Sequence, residues 1–484
     1  MAFNSFSYFL FLPAIYLTFY FSPDRWRWLI LLLGSFIFYS ALNAPHLIVV
    51  LLLITIITYF AGIWIEQNKS FKARKYILWG GIFLNVLTLG ILKYLPYMSV
   101  ILPSVEPSMS KVLTTVGISY FIFQAISYLI DTYLEIGKPE RHIGYFALYL
   151  SFFPKLLQGP IERGGDLLPQ FKIPYVFSYN NVRSGMLLFG IGLLKKVVIA
   201  DRLALMVNPV FDNVFAHNGI SLLIATYYYA LQIYFDFSGY TDMALGTAMM
   251  FNINLTQNFN NPYFSTSIAD FWRRWHISFS RWILDYIFKP LQMSWRNWGS
   301  WGTAIALLVT FTISGIWHGA SWGFVAWGML HGIYLAISVA YKPYQKKVHR
   351  FFKIDPKSIF HKVFCVFFIF NLVSLAWIFF RTSSIKDAFF CIKNIYEHIP
   401  VTLYKISLDD FLSRKIDFSL GYGYYELMLC VVFIVFIGFY DLYIKDRILE
   451  AKLLFRWSFY YVLLVSIVFF SVSNIKKDFL YLAF

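Results

Sequence analysis

The chain has 484 residues, of which 59% are hydrophobic, 21% aromatic and only 14% charged. A soluble domain carries about 25% charged residues, so soluble, disordered, collagen-like and coiled-coil architectures are excluded. The formal charge of +16, from 41 Lys and Arg against 25 Asp and Glu, sits mostly in short loops between apolar blocks, where cytoplasmic loops meet anionic lipid head groups; it indicates membrane lipid and no nucleic acid.

Residues 1–21, MAFNSFSYFLFLPAIYLTFYF, are apolar but lack a basic leading region and an A-x-A cleavage site, and so read as a retained transmembrane helix. Further apolar blocks follow near 28–43, 46–65, 76–95, 112–134, 143–157, 183–200, 219–235, 301–314, 322–341, 361–380, 425–444 and 457–473. A spanning helix needs about 20 apolar residues, so the pattern predicts an all-α polytopic membrane protein with roughly 10–13 spanning or re-entrant helices. The expected organisation is one membrane domain over 1–484, with a motif core at about 114–341 and C-terminal helices over 361–484. The basic loops at 69–75, 342–357 and 445–456 predict a cytoplasmic side. Counting helices from them places the N- and C-termini outside, together with a polar connection over 381–424. Cys365, Cys391 and Cys430 are too scattered for a disulfide framework or a metal-ligating pair.

Five segments carry chemistry-bearing residues. Gln158-Gly159-Pro160, followed by Glu162-Arg163, breaks an apolar run at a membrane boundary. Lys195 and Lys196 close an apolar helix, from which such side chains snorkel to the interface. In Tyr234–Met243, YFDFSGYTDM, the Ser-Gly-Tyr step predicts that the helix ends or unwinds. Asp236 and Asp242 there either cap it or hold a basic partner, and both a structural and a functional role stay open. Over Ile268–Pro290 an amphipathic helix is predicted, with Phe271, Trp272, Trp275, Phe279 and Trp282 on one stripe and Arg273, Arg274 and Arg281 off it. His276 falls inside the apolar stripe, where a lone histidine reads first as a hydrogen-bonded core residue rather than a functional one. In Ser314–His331, SGIWHGASWGFVAWGMLH, Gly315, Gly319 and Gly323 recur every four residues, which lets a membrane helix approach a neighbour closely. His318 stands beside them, and an ionisable group at membrane depth marks a functional site by default. His331, about 220° further round if the helix is continuous, reads as structural.

The chain has no GxxxxGK[ST] or HExxH motif, so phosphate-cradling ATPases and zinc proteases lack their signatures. What the chain does resemble is carried by GISYFIFQAISYLIDTY, FFPKLLQGPIERGGDLLPQF, YFDFSGYTDMALG, RRWHISFSRWILDYIFKPL and GIWHGASWGFVAWGMLHGIYL, in that order. Together they resemble the membrane-bound O-acyltransferase family, in its bacterial branch of alginate and peptidoglycan O-acetyltransferases and teichoic acid D-alanyl transferases. The resemblance runs over essentially the whole chain. It implies a ring of tilted helices around a thin centre, with a cytoplasmic funnel, and it makes His318 the catalytic histidine and His276 the second polar position. Asp236, Asp242, Trp317, Gly319 and Gln158 are the supporting motif positions. The 381–424 stretch lies where family members vary.

The activity expected is transfer of an acetyl group from a cytoplasmic thioester, acetyl-CoA, to an extracytoplasmic polysaccharide such as peptidoglycan or alginate, in the bacterial inner membrane. A partner transferase outside the membrane is expected to relay the group. No bound cofactor and no metal is expected. In this scheme His318 acts as general base or, alternatively, as nucleophile. His276 orients or polarises the acyl carbonyl, and Arg273, Arg274 or Arg281 meets the donor's phosphates or lipid head groups. Alternatives are D-alanyl transfer to teichoic acid, a polytopic transporter or flippase, and a scaffold for an external transferase.

Overall fold

The computed structural model describes residues 1–41, 46–98, 117–405 and 417–472. Every regular element among them is helical. In chain order they are α1 (Phe6–Phe21), α2 (Asp24–Ser40), α3 (His46–Gln67), α4 (Phe71–Met98), α5 (Ile118–Tyr133), α6 (Ile143–Ser151), α7 (Gly164–Lys172) and α8 (Tyr179–Leu194). After a π-helical turn at Lys195–Ala200 come α9 (Asp201–Asp212), α10 (Gly219–Met250), α11 (Ile268–Arg274) and α12 (Ile277–Ile283). A second π-helical turn, Leu284–Phe288, leads to α13 (Lys289–Ser294), α14 (Gly299–His318), α15 (Trp322–Phe351), α16 (Ile359–Arg381), α17 (Ile385–Lys405), α18 (Tyr424–Phe439) and α19 (Leu453–Phe470).

Among the described residues, seven segments are long and apolar enough to cross a membrane: Leu47–Gln67, Phe71–Lys93, Arg296–His318, Trp322–Phe351, Ile359–Arg381, Tyr424–Ile444 and Leu453–Phe470. Their outward side chains are large and apolar, such as Trp64, Phe83, Phe364 and Val435. Lipid is the solvent that such a surface fits.

The described residues form two compact units, one of Met1–Leu193 with Tyr240–Gln257 and one of Leu194–Gly239 with the residues from Asn258 to 472. In the first, an aromatic core of Phe3, Tyr8, Phe11, Phe38 and Phe153 is closed by a 2.9 Å hydrogen bond between the Tyr8 and Thr247 hydroxyls. The segment after α6 buries Lys155, Gln158 and Glu162. The Lys155 ammonium donates to Gln124 Oε1, and the Glu162 carboxylate accepts the backbone N–H and the hydroxyl of Thr256 at 2.5 and 3.0 Å. Each buried charge is thereby met by a hydrogen-bonding partner, as a membrane interior requires.

The second unit is built on the hairpin of α14 and α15. Along α14 the buried residues Gly302, Ala306, Thr310, Ser314 and His318 recur every four positions, the spacing of one helix face. α14 makes its most extensive packing with α15, where Leu308, Phe311 and Gly315 lie against Phe324, Gly328 and Gly332. Glycine is needed at the crossing: a Cβ on Gly315 would stand 2.3 Å from the Phe324 carbonyl oxygen, and one on Gly328 would stand 2.2 Å from that of Phe311.

Three expectations are corrected, and the 381–424 connection gains detail. The Ser-Gly-Tyr step at 238–240 does not break the helix: α10 runs unbroken from Gly219 to Met250, because a helix interior tolerates single Ser and Gly residues at small cost. Lys195 and Lys196 do not snorkel but are buried, in a π-helical turn. The connection over 381–424 contains a helix, α17, and its residues 406–416 lie outside the described ones. The Ser314–His331 segment is two helices, since α14 ends at His318 and Ser321 caps α15 by accepting the Gly323 N–H at 3.2 Å. The four-residue glycine repeat is therefore shared between two helices: Gly315 lies in α14, Gly319 in the turn and Gly323 in α15.

Candidate active site

The site is built within the second unit. His318 is the last residue of α14 and is only 3% exposed. Aromatic rings wall it in, with centroids at 4.5 Å for Trp317, 5.0 Å for Trp327 and 5.0 Å for Phe380. The Trp327 and Phe380 rings stand edge-on at 89° and 78°. This cage fixes the imidazole in an apolar surround, where a neutral ring and a reactive lone pair suit proton abstraction from a hydroxyl.

His276 stands at a break that the amphipathic pattern did not show. The single helix expected over Ile268–Pro290 is divided into α11, α12, a π-helical turn and α13. Trp275 closes α11 by donating to the Phe271 carbonyl at 2.8 Å, and His276 then takes the left-handed conformation at φ 42°. The cause lies elsewhere in the chain. Asn258, itself buried, accepts the Ile277 N–H on its backbone oxygen at 2.9 Å and the Ser278 N–H on its Oδ1 at 3.0 Å, satisfying the first turn of α12. A non-glycine residue at positive φ is uncommon and costs about 1–3 kcal/mol, and such residues cluster at functional sites. The result is a fully buried imidazole with Phe237 edge-on at 4.8 Å and Phe279 at 5.1 Å.

Phe279 joins the two histidines. Its ring lies 5.1 Å from His276 and 6.4 Å from His318, and it stacks on Trp317 at 4.5 Å. The structure thus brings His276, Trp317 and His318 into one aromatic cluster, with Gly319 in the adjoining turn against the Phe324 ring.

The three arginines separate. Arg273 and Arg281 line a cavity of about 510 Å³, together with Trp272 and Ser280 and with Thr310, Phe311 and Leu335 of the hairpin. Arg274 instead holds Asp270 through its Nε at 3.1 Å. Arg273 approaches the same carboxylate only at 3.7 Å, and Arg281 has no ion-pair partner among the described residues. Two guanidinium groups at a cavity whose other lining is mostly apolar, with the Ser280 and Thr310 hydroxyls, suit a ligand with an anionic head and a less polar arm.

Asp236, placed midway along α10, is buried and paired with Lys196 at 2.7 Å, and the same ammonium reaches Asp201 at 2.9 Å. The basic partner is thus a lysine 40 positions away in sequence. Its neighbour Phe237 is the ring edge-on to His276, so the ion cluster anchors the helix that forms one wall of the site. Asp242 and Gln158 belong to the first unit. Asp242 is half-buried on α10, and Gln158 is buried with neither amide atom bonded among the described residues.

Two residues were not singled out for the site. Trp327 stands edge-on to both His318 and His331, each at 5.0 Å, and the Trp272 indole N–H donates to His331 Nδ1 at 3.3 Å. The break at 319–321 changes the angular offset computed for a continuous helix, so His331 stands one ring away from His318. Gly-Ala-Ser before Trp322 was the available signal, since Ser is a favoured helix cap.

The family model for "MBOAT, membrane-bound O-acyltransferase family" matches residues 137–380, which hold the histidines, the arginines and the hairpin. The chain is 33% identical over 455 residues to the peptidoglycan O-acetyltransferase of Helicobacter pylori, covering 85% of this chain and 82% of that one. It is 35% identical over 395 residues to a probable alginate O-acetylase of Azotobacter vinelandii, covering 78% and 74%. A teichoic acid D-alanyltransferase of Streptococcus thermophilus is 26% identical over 348 residues, covering 68% and 81%. Seven apolar spans, a buried histidine on a spanning helix and these matches lead to one identification: the chain belongs to the membrane-bound O-acyltransferase family and is a multi-pass membrane O-acyltransferase.

Proposed function

We propose that the protein moves an acetyl group from a cytoplasmic thioester, acetyl-CoA, to a hydroxyl destined for an extracytoplasmic polysaccharide of the peptidoglycan or alginate type. The observation that carries this reading is the buried His318 at the end of a spanning helix, caged beside a second buried histidine and near a cavity lined by Arg273 and Arg281. The acceptor hydroxyl gives its proton to the His318 imidazole as its oxygen attacks the thioester carbonyl. Collapse of the tetrahedral intermediate expels the thiolate, which takes that proton and leaves as free thiol.

In this reading Arg273 and Arg281 meet phosphates of the donor, while Arg274, tied to Asp270, holds α11 in place. His276 orients the acyl group from the far side of Phe279. The immediate acceptor is a hydroxyl of a partner transferase outside the membrane, which relays the group to the glycan. The protein sits in a bacterial inner membrane with both termini external, the orientation its basic loops favour. Acetyl rather than D-alanyl is supported by the higher identity to the O-acetylating relatives, 33% and 35% against 26%.

The test is complementation of a strain lacking its own copy, reading base-labile acetate on the isolated wall or exported polymer. Wild-type protein restores the ester and His318→Ala does not. Restoration of D-alanine instead of acetate, or full restoration by His318→Ala, would refute the reading.

A further inference from the structure

His331 and Trp327 carry two hydrogen-bond donors with no acceptor among the described residues. Trp272 donates its indole N–H to His331 Nδ1 at 3.3 Å, so that nitrogen holds a lone pair. A neutral imidazole whose Nδ1 accepts must bear its proton on Nε2. Nε2 of His331 and Nε1 of Trp327 are therefore both N–H groups. Each is buried, on a residue 0% and 1% exposed, and each is unpartnered among the described residues. A buried donor left unpaired costs about 1–3 kcal/mol, and in a membrane interior water supplies no easy relief. Two such donors on one helix face, beside the proposed general base, call for a common acceptor.

We propose that the Trp327 and His331 N–H groups form the hydrogen-bonding pocket that receives the carbonyl oxygen of the acyl donor and holds its negative charge during transfer. The inference rests on the proposed reading of His318 as the base of an acetyl transfer. Trp327 ring contacts place it 5.0 Å from His318 and 5.0 Å from His331, between centroids. A donor serves an oxyanion at about 2.7–3.1 Å, so two nitrogens up to about 6 Å apart can share one oxygen. The two rings stand 5.0 Å apart between centroids, one helical turn apart on α15.

As the acceptor oxygen bonds to the carbonyl carbon, the C=O π pair moves onto oxygen and is held by the two N–H groups, while His318 keeps the hydroxyl proton. When the C=O re-forms, the C–S bond breaks and the thiolate takes that proton. Neither donor gives up its own hydrogen. Trp272 sets the His331 tautomer, and because Trp272 also lines the arginine-bearing cavity, donor binding and the carbonyl pocket share one side chain. Trp272 is a positioning residue; His331 and Trp327 are catalytic ones.

The experiment compares thiol release from acetyl-CoA, and polymer-bound acetate in complemented cells, for wild type, His318→Ala, Trp327→Phe, His331→Leu and His331→Gln. Trp327→Phe keeps an aromatic ring against His318 and removes only the N–H side. Loss of one oxyanion donor costs about 10²–10³-fold in kcat, so Trp327→Phe and His331→Leu are expected to lose about 100-fold in kcat with KM changed less than threefold. His331→Gln, which restores an N–H near the Nε2 position, is expected to regain at least tenfold over His331→Leu. Thermal unfolding of each purified variant identifies those that fold. Folded Trp327→Phe and His331→Leu that turn over within threefold of wild type, while His318→Ala is inactive, would overturn this inference alone. A wild type that neither releases thiol nor esterifies polymer would overturn the functional reading and this inference with it. Losses that follow the melting temperatures, with no rescue by Gln, would replace the inference with a purely structural role.

Discussion

Gly328→Ala tests whether the crossing of α14 and α15 positions His318. The added Cβ would lie 2.2 Å from the Phe311 carbonyl oxygen and 3.0 Å from Gly315 backbone atoms. Carbon–oxygen contacts settle at about 3.3 Å, so the two backbones must part by about 1 Å, three residues from His318 in α14. Overpacking of this kind costs about 1–3 kcal/mol, and a displacement of about 1 Å at a reacting group costs about 100-fold in rate. The expected outcome is a folded protein with a lowered melting temperature and a kcat for thiol release from acetyl-CoA reduced about 100-fold. The control is Gly438→Ala in α18, where nothing lies within 4 Å of the new atom. There alanine favours the helix by about 0.5–1 kcal/mol, and kcat should stay at the wild-type value. If Gly328→Ala behaves like Gly438→Ala in both measurements, helix spacing does not set the position of His318.

Removing the cation from the Lys196 cluster with Lys196→Met leaves two buried carboxylates without their shared partner. The expected loss is about 3–5 kcal/mol, read as a large fall in thermal or denaturant midpoint, whereas Asp236→Asn, which leaves the 2.9 Å pair with Asp201, should fall less. An unchanged midpoint in Lys196→Met would show that the cluster does not hold α10. Arg273→Ala and Arg281→Ala should each raise KM for acetyl-CoA several-fold, and the wild-type KM should rise with salt, as expected for partly exposed charges. Arg274→Ala should instead lower stability with KM near wild type. A KM effect confined to Arg274→Ala would reverse the assignment drawn from the cavity.

The membrane-spanning character was legible because it rests on a local signal, unbroken apolar runs, and the burial of His318 fits a histidine set between two of them. The turn after His318 was also signalled, by Ser321, although a continuous helix through 314–331 put His331 at the wrong angle. The break at His276 was not legible. Nothing in IADFWRRWHISFS marks a stop, and the backbone there is held by Asn258, which is distant in sequence. The same holds for Lys196: a lysine ending an apolar run looks like an interfacial anchor until a buried aspartate 40 residues on is brought to it by folding. The Ser-Gly-Tyr step misled in the opposite direction, since a weak local signal for a break was overridden by packing along α10. Of the arginines, sequence identified the charged stretch but not its division of labour, which depends on where the cavity opens.

The most direct test of the account is thiol release from acetyl-CoA by purified protein in nanodiscs, with the acceptor supplied by an outer-surface membrane extract, comparing wild type with His318→Ala. The account predicts steady turnover by the wild type and its loss by at least about 100-fold in a variant that melts at the same temperature, as expected when a general base is removed. Turnover by a folded His318→Ala protein at the wild-type rate would contradict it.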